Sequence, residues 1–520
     1  MTATEPIDID RLTLDDLRAG ALHGRPVAVL GFARSGIGLA RFFADAGADV
    51  AVYDTRPADD LDASIRALEG RSVRLFLGPD VDPAAALDGA SLVTTSPAVN
   101  PDYPTTEPRL RAALVALRDR RASGDPGAPA IVSEPDLVLR LCPAPTIGVT
   151  GTKGKTTTAS LAHAILAADP SHEAILGGNI GIPLVERLPS IPADARVVIE
   201  LSELQIPTLS RGTTVAVFTN VTADHLDRHG TVAAYRRVKR RLAELVDPDG
   251  ALVLNAEDPV VAAYAGLGTA PAVLYRLDRP VPGGVGVVDG WIVAAGVERL
   301  PLVAGGAGPA GTGPGGRIMP VDELAIPGRH NVRNALAAIS VGLLFGLAPD
   351  AIRRAATGFA GVEHRLEPVG LIDGIRFVND SMGTQPDAVI AALGSFEPPI
   401  VLIAGGRDKD VDLTELAGVV AARAAAAVLI GESGPRLERL FRAAGLTATE
   451  RATSLEDAVR RADAIARELS AAGAGGPATV LLSPAAASFD MFVDYAARGR
   501  AFKRAVAAIA EARTTRGGER

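Results

Sequence analysis

Short, almost wholly apolar runs recur along this chain, each ended by a glycine or a small polar residue. Pro26-Val-Ala-Val-Leu30, Thr146-Ile-Gly-Val-Thr150, Val197-Val-Ile-Glu200, Val215-Ala-Val-Phe-Thr219, Ile400-Val-Leu-Ile-Ala404, Ala427-Val-Leu-Ile430 and Thr479-Val-Leu-Leu482 are of this kind. A strand that is apolar on both sides must be covered on both sides, and parallel strands joined by helical crossovers meet that demand. The pattern therefore predicts an α/β fold. A chain of 520 residues is too long for one ordinary domain. Strand and helix alternate in three blocks, which predicts three α/β domains over 1–144, 145–327 and 328–520. In the first, a Gly turn after Leu30 leads into a helix (39–46) and a second strand (48–53) ending at Asp54, and a further strand ends at 92–96. The third opens with an Ala/Leu-rich helix from Asn331 to Phe345 and has a strand at 376–378. The stretches 121–129 and 304–316 read as loops, the latter flexible and Gly-rich.

Composition excludes several function classes. Hydrophobic residues make up 48% and charged residues 22%, as in ordinary globular proteins. The net charge of −8 argues against a nucleic-acid binder, which would carry a basic surplus. No apolar run approaches the roughly 20 residues needed to span a bilayer. The polar, acidic N-terminus is not expected to be a signal peptide. The single cysteine, Cys142, allows no intramolecular disulfide, which suits a reducing cytoplasm.

Of 53 basic residues only five are lysine: Lys153, Lys155, Lys239, Lys409 and Lys503. Composition bias accounts for the scarcity, and it makes each remaining lysine informative, because arginine cannot replace lysine where the amine itself must react or fit a tight phosphate cradle. Two of the five fall in Gly151-Thr-Lys-Gly-Lys-Thr-Thr157, between a buried strand and a helix. A Gly-rich turn of this kind cradles phosphates with backbone N–H groups, and the helix N-terminus adds positive potential. Lys155 would reach the β- and γ-phosphates, and the Thr156 hydroxyl would ligate Mg²⁺. Val149 stands where the first Gly of the general phosphate loop belongs. The earlier turn, Gly31-x-Ala-x-x-Gly36, falls short of a dinucleotide fingerprint, although Asp54 follows 23 residues after Gly31. NAD, another nucleotide and plain packing all remain compatible with it. Glu200 ends a buried strand, where a carboxylate faces the ligand crevice of a parallel sheet. His225, in Asn220-Val-Thr-Ala-Asp-His-Leu-Asp227, follows the next strand as a second candidate metal ligand.

Together with Gly178-Asn-Ile-Gly181, Glu200-Leu-Ser202, Asn255-Ala-Glu-Asp258, Gly328-Arg-His-Asn331-Val-x-Asn334, Glu363-His-Arg365, Asn379-Asp-Ser381 and Ser483-Pro-Ala-x-Ala-Ser-Phe489-Asp, these segments resemble the Mur ligases, in order and over nearly the whole chain. Tyr53-Asp-Thr-Arg56 and Thr95-Ser-Pro97 are similar to the branch that joins D-glutamate to UDP-N-acetylmuramoyl-L-alanine. The resemblance implies a Rossmann-like first domain holding UDP through Gly31, Ser35, Gly36, Asp54, Thr55, Arg56 and Ser96. It implies a central P-loop-type ATPase domain with a mostly parallel sheet, and a Rossmann-like third domain for the amino acid. ATP would convert the substrate carboxylate into an acyl phosphate, which the glutamate amine then attacks. Gly151, Thr152, Lys153, Gly154, Lys155, Thr156 and Thr157 would hold ATP, with Asn255, Arg365 and Asp380. Thr156, Glu200, His225 and a carbamylated Lys239 would support two Mg²⁺ ions. Asn179 and Ser202 would position the UDP substrate. Thr384, Lys409, Ser483 and Phe489 would bind glutamate. A cytoplasmic monomer acting on small molecules, in cytoplasmic peptidoglycan precursor synthesis, is the implied setting.

Two positions depart from the family pattern. Met382 replaces the lysine usual in Asn-Asp-Ser-Lys-Ala-Thr, and Glu203-Leu204 stands where Ser-Phe or Ser-Tyr is common. Relatives that add L-glutamate also lack that lysine, so L-glutamate is the alternative substrate. A folylpolyglutamate synthase-like ligase is a remoter reading, but it would lack such an N-terminal domain. An NAD-dependent dehydrogenase leaves Lys155, Glu200 and His225 unexplained.

Overall fold

The apolar runs are strands, and they are buried as predicted. Every residue of Thr146–Thr150, Arg196–Glu200, Val215–Phe218 and Ile400–Gly405 is buried. The computed structural model describes residues 5–180, 183–224, 226–326, 328–408, 411–471, 473, 477–488 and 490–517. The chain forms two compact units, residues 1–359 and 360–520.

Among the described residues, the first unit contains two large sheets and a two-stranded ribbon. The N-terminal sheet has five parallel strands in the order Val73–Leu77, Asp49–Asp54, Pro26–Leu30, Leu92–Thr95, Ala130–Ser133. Strand order reverses between Pro26–Leu30 and Leu92–Thr95, which places the ligand crevice of such a sheet at their C-terminal ends. The second sheet runs Arg317–Pro320, Trp291–Ala294, Val285–Val288, Ala272–Tyr275, Ala251–Asn255, Val215–Phe218, Thr146–Thr150, Arg196–Glu200, Ala174–Gly178. It is parallel from Ala174–Gly178 to Val285–Val288, and antiparallel at the Trp291 and Arg317 strands.

The helix Arg329–Leu344, read above as opening the third domain, lies within the first unit. Its eleven consecutive residues Asn334–Leu344 are all buried, partly against helix Lys155–Leu166. A helix apolar all round needs cover all round. The Gly-rich segment 304–316 is more regular than expected, because Gly308–Pro309 pairs antiparallel with Glu298–Arg299.

The second unit is a six-stranded sheet in the order Glu367–Ile372, Ile375–Asn379, Thr479–Leu482, Ile400–Gly405, Ala426–Ile430, Thr449–Arg451. Only the Glu367 edge strand is antiparallel. The long helix Tyr495–Gly517 packs on its first two strands.

Glu134 opens helix Glu134–Leu141, capped by the Ser133 hydroxyl. It is buried, and its Oε1 has no hydrogen-bond partner. Burial, opposed by the Val185 N–H and by Arg34, raises its carboxyl from 4.5 to about 7. The folded carboxyl therefore keeps its proton to higher pH than the unfolded one, so stability falls as pH rises from about 4.5 to about 7. Glu134→Gln keeps the shape and removes the ionisation. It is expected to raise Tm more at pH 8 than at pH 5, by no more than about 3 kcal/mol of stability at the higher pH. An equal change in Tm at both pH values would show that the carboxyl does not titrate in this window.

Candidate active site

Three adjacent strands of the second sheet, Arg196–Glu200, Thr146–Thr150 and Val215–Phe218, end at one edge, with Val149 opposite Glu200 and Thr150 opposite Phe218. The loop Gly151–Gly154 follows the middle strand and is held to the loop after its neighbour. The Thr152 N–H donates to the Asn220 carbonyl (2.7 Å), and the Lys153 N–H donates to Asn220 Oδ1 (3.0 Å). In return, Thr219 Oγ1 and Asn220 Nδ2 donate to the Lys153 carbonyl (2.6 and 2.9 Å). Asn255 supports this loop from the next strand, donating to the Thr219 carbonyl (2.8 Å).

Glycine is required twice. Gly151 has φ +147°, and a Cβ there would lie 2.0 Å from Thr219 Oγ1. Gly154 is left-handed at φ +87°, and a Cβ would lie 2.5 Å from Asn334 Oδ1. Asn334, quoted in the Gly328 motif but given no role above, thus packs on the phosphate loop. Helix Lys155–Leu166 starts directly after Gly154, with Thr156 buried in its first turn. Its leading N–H groups have no intrahelical acceptor, which makes the turn an anion site. The Lys155 ammonium donates to the carbonyls of Gly151 and Thr152 (3.1 and 3.0 Å), so it lies folded over the loop it would serve.

Glu200 is 2% exposed. Its Oε1 accepts from Asn179 Nδ2 (2.9 Å), whereas Oε2 is buried without a hydrogen-bond partner. A buried carboxylate oxygen with no donor is costly unless a cation meets it. Together with the Thr156 hydroxyl, it could supply the hard oxygen donors that Mg²⁺ takes. The Arg34 guanidinium donates to the Asn179 carbonyl (3.1 Å), tying the first Gly turn to the Glu200 edge. Ser202 is buried and donates through N and Oγ to Gln205 Oε1 (2.9 and 3.0 Å).

Lys239 is 0% exposed, on the helix Val232–Glu244. Its ammonium donates to Thr150 Oγ1 (3.0 Å) and lies 5.6 Å from the Tyr235 ring centroid. Burial, and then the charge of Lys155, pulls it down from 10.5 to about 7. The Tyr235 hydroxyl in turn shares a hydrogen bond with Thr152 Oγ1 (3.1 Å). Tyr235, Thr219 and Asn334 build the site without having been predicted. Only the motifs around the last two signalled them. Glu203 is buried and accepts from Arg228 (2.9 Å).

At the switch point of the N-terminal sheet, Gly31 has φ +91°, and a Cβ on it would lie 2.7 Å from Ser96 Oγ. Gly36 packs directly on the Gly31 carbonyl, and Ser35 stands beside it in the first turn of helix Arg34–Asp45. Asp54 accepts from the Phe32 N–H (2.8 Å) and from the Arg56 backbone and side chain (2.9–3.0 Å). Burial raises its pKa, but these donors outweigh it and hold the carboxyl below its usual value. Thr55 is half-buried between Asp54 and Arg56. These residues lie together at the C-terminal ends of neighbouring strands.

In the second unit, Asp380 follows strand Ile375–Asn379. The Ser483 hydroxyl and the Leu366 N–H donate to it (2.6 and 3.2 Å). Burial pushes it up to about 6, against Ser483, Leu366 and the charge of Arg365. Gly383 packs on both Asp380 and Ser483, and the Thr384 N–H donates to the Met382 carbonyl (2.8 Å). His364, Leu366 and Ala485, all bonded to this loop, have φ of +64°, +45° and +56°. Such left-handed non-glycine residues store strain and cluster at functional sites. The predicted ligands His225, Lys409 and Phe489 lie outside the described residues. The fifth lysine, Lys503, pairs with Glu363 and Glu367 (2.8 and 2.9 Å).

Family models match at two places: Mur ligase middle domain over residues 149–280, and Mur ligase, glutamate ligase domain over 364–486. The chain is 38% identical over 496 residues to a UDP-N-acetylmuramoylalanine–D-glutamate ligase of Symbiobacterium thermophilum, covering 94% of this chain and 100% of the relative. It is 39% identical to the protein of the same name from Roseiflexus sp., covering 93% and 99%. Its fold is similar to that of a UDP-N-acetylmuramate–alanine ligase from Thermotoga maritima, at 18% identity, with a TM-score of 0.50 and 94% and 100% coverage.

Gly151→Ala would force the loop off Thr219. It is expected to weaken ADP binding at least about tenfold, since a 1.4 kcal/mol distortion is already that large. Calorimetric titration with ADP measures it, and unchanged affinity would show that the Thr219 contact does not shape the loop.

Proposed function

The chain belongs to the Mur ligase family, and we propose that it joins D-glutamate to UDP-N-acetylmuramoyl-L-alanine at the expense of ATP. The observation that carries this reading is the gathering of Lys155, Thr156, Glu200 and Lys239 around one strand edge, in a chain whose near full-length relatives bear that activity in their names. A carboxylate is a poor acylating agent because its leaving group would be oxide or hydroxide. Transfer of the γ-phosphoryl group to a carboxylate oxygen, with ADP leaving, supplies a better one. The glutamate amine then adds to the carbonyl carbon and phosphate departs, leaving an amide.

The first step brings several phosphate oxygens together with a carboxylate, so the site must concentrate positive charge. Backbone N–H groups at Gly154–Thr157 would receive the phosphates. Lys155 would leave the carbonyls of Gly151 and Thr152 to meet the β- and γ-oxygens. Thr156 and Glu200 Oε2 would hold Mg²⁺, which when bound neutralises phosphate oxygens. His225 would hold a second ion. Lys239, buried and with much of its amine neutral near pH 7, is suited to form a carbamate with CO₂ and so become an anionic support for that ion. Asn255, Arg365 and Asp380 would contact ATP. The crevice lined by Gly31, Gly36, Asp54, Thr55, Arg56 and Ser96 would take the UDP group, with Asn179 and Ser202 nearer the reacting carboxylate. Thr384 and Ser483 would receive the amino acid with Lys409 and Phe489. No described helix is long and apolar enough to cross a membrane. A cytoplasmic monomer fits the acidic balance and the single cysteine.

Phosphate release with ATP and UDP-N-acetylmuramoyl-L-alanine is expected with D-glutamate and not with L-glutamate, and to fall at least about a thousandfold in Lys155→Ala, as removal of a transition-state cation does. Release driven only by L-glutamate, or by neither, would overturn the assignment. Growth in ¹³C-bicarbonate buffer is expected to yield a carbamate resonance in the wild type that Lys239→Arg lacks. Full wild-type activity without that resonance would mean that Lys239 acts as the amine.

A further inference from the structure

Arg498, on helix Tyr495–Gly517, is among the largest fully buried side chains, at 1% exposure. Its Nε donates to Ser381 Oγ (3.0 Å), one Nη to the Ser381 carbonyl (2.9 Å) and the other to the Ala486 carbonyl (3.2 Å). Nη1 also lies 3.2 Å from where a Gly406 Cβ would stand. Ser381, Ala486 and Gly406 follow the strands Ile375–Asn379, Thr479–Leu482 and Ile400–Gly405, three neighbours in the parallel part of the sheet. The guanidinium therefore sits where three loops converge at the C-terminal strand ends, the position at which such sheets bind ligands.

Among the described residues its charge has no close ionic partner. All three acceptors are neutral oxygens, and among the described residues no carboxylate comes within ion-pair distance. Among the described residues, Asp490 is the acidic group close enough to favour its charged form. Three of its five N–H groups are used, and two remain. A buried cation bonded only to neutral oxygens is expensive, and a staple for loop carbonyls could be neutral. The arrangement is instead suited to an anionic ligand. The adjoining loop, Asp380-Ser-Met-Gly-Thr384, carries no cation of its own.

We propose that Arg498 is a specificity-determining residue that supplies the positive charge recognising the side-chain carboxylate of the incoming amino acid. This rests on the reading of the second unit as the amino-acid site. The charge acts from beneath the loops 381–384 and 483–487, through the field it sets up at the strand ends.

The test uses the full-length enzyme with saturating ATP and UDP-N-acetylmuramoyl-L-alanine, and D-glutamate or D-glutamine as acceptor. Arg498→Met is expected to raise the KM for D-glutamate on the order of 30-fold, the size of a unit charge acting over several ångströms at a partly buried site. The preference for D-glutamate over D-glutamine should collapse with it. Acyl-phosphate formation without any amino acid, trapped by hydroxylamine, should stay near the wild-type level. Arg498→Lys should keep most of the preference, and Met382→Lys in the Arg498→Met background should restore part of it. An unchanged preference in Arg498→Met, or equal damage by Arg498→Lys, would overturn the proposal in favour of a loop staple. If Arg498→Met does not fold, Arg498→Lys decides alone: retained preference supports the proposal and lost preference defeats it. Wild-type turnover of D-glutamate checks the ligase reading separately from every variant.

Discussion

The hydrogen-bonded placement of strand Thr146–Thr150 between Arg196–Glu200 and Val215–Phe218 is the constraint on which the first unit depends. Because the three strands are parallel and in register, their ends bring a phosphate-binding loop, a carboxylate and the Thr219–Asn220 loop to one edge. The four bonds between Lys153 or Thr152 and Asn220 or Thr219 then fix the loop before any nucleotide arrives. Preorganisation of this kind lowers the ordering cost of binding. The two glycines follow from it, since the loop approaches Thr219 and Asn334 too closely for any Cβ.

The same closeness explains the electrostatics. Glu200, Lys239 and Asp380 are all buried and all chemically unfinished: an oxygen with no donor, an amine largely stripped of its usual charge preference, and a carboxyl raised by burial. Groups like these destabilise a fold that has no use for them. They are retained where a ligand completes them. Glu203 and Arg228 show the contrasting case, a buried pair that is already satisfied.

The second unit works by the same rule with different residues. Left-handed His364, Leu366 and Ala485 hold the Asp380–Gly383 loop against Ser483, and Arg498 fastens that loop to the one bearing Ala486. The strain and the buried charge both lie at the C-terminal strand ends.

Periodicity alone determined the α/β class, because a run apolar on both faces admits few other homes, and the strands that were predicted fell within a residue of their ends, whereas others such as Val73–Leu77 and Ala251–Asn255 were not predicted. The phosphate loop was legible for a similar reason: its glycines, lysine and threonine are consecutive, so local chemistry specifies them. The role of Arg329–Leu344 was not, since a helix apolar all round does not say which sheet will cover it. Neither was the part played by Tyr235 or Asn334, which reach Thr152 and Gly154 across 83 and about 180 residues of chain. Nothing in the composition distinguishes Arg498 from the chain's many other arginines. Its burial and its bonding to neutral oxygens exist only once helix Tyr495–Gly517 is laid under three loops, because burial and pairing are properties of packing and not of residue type.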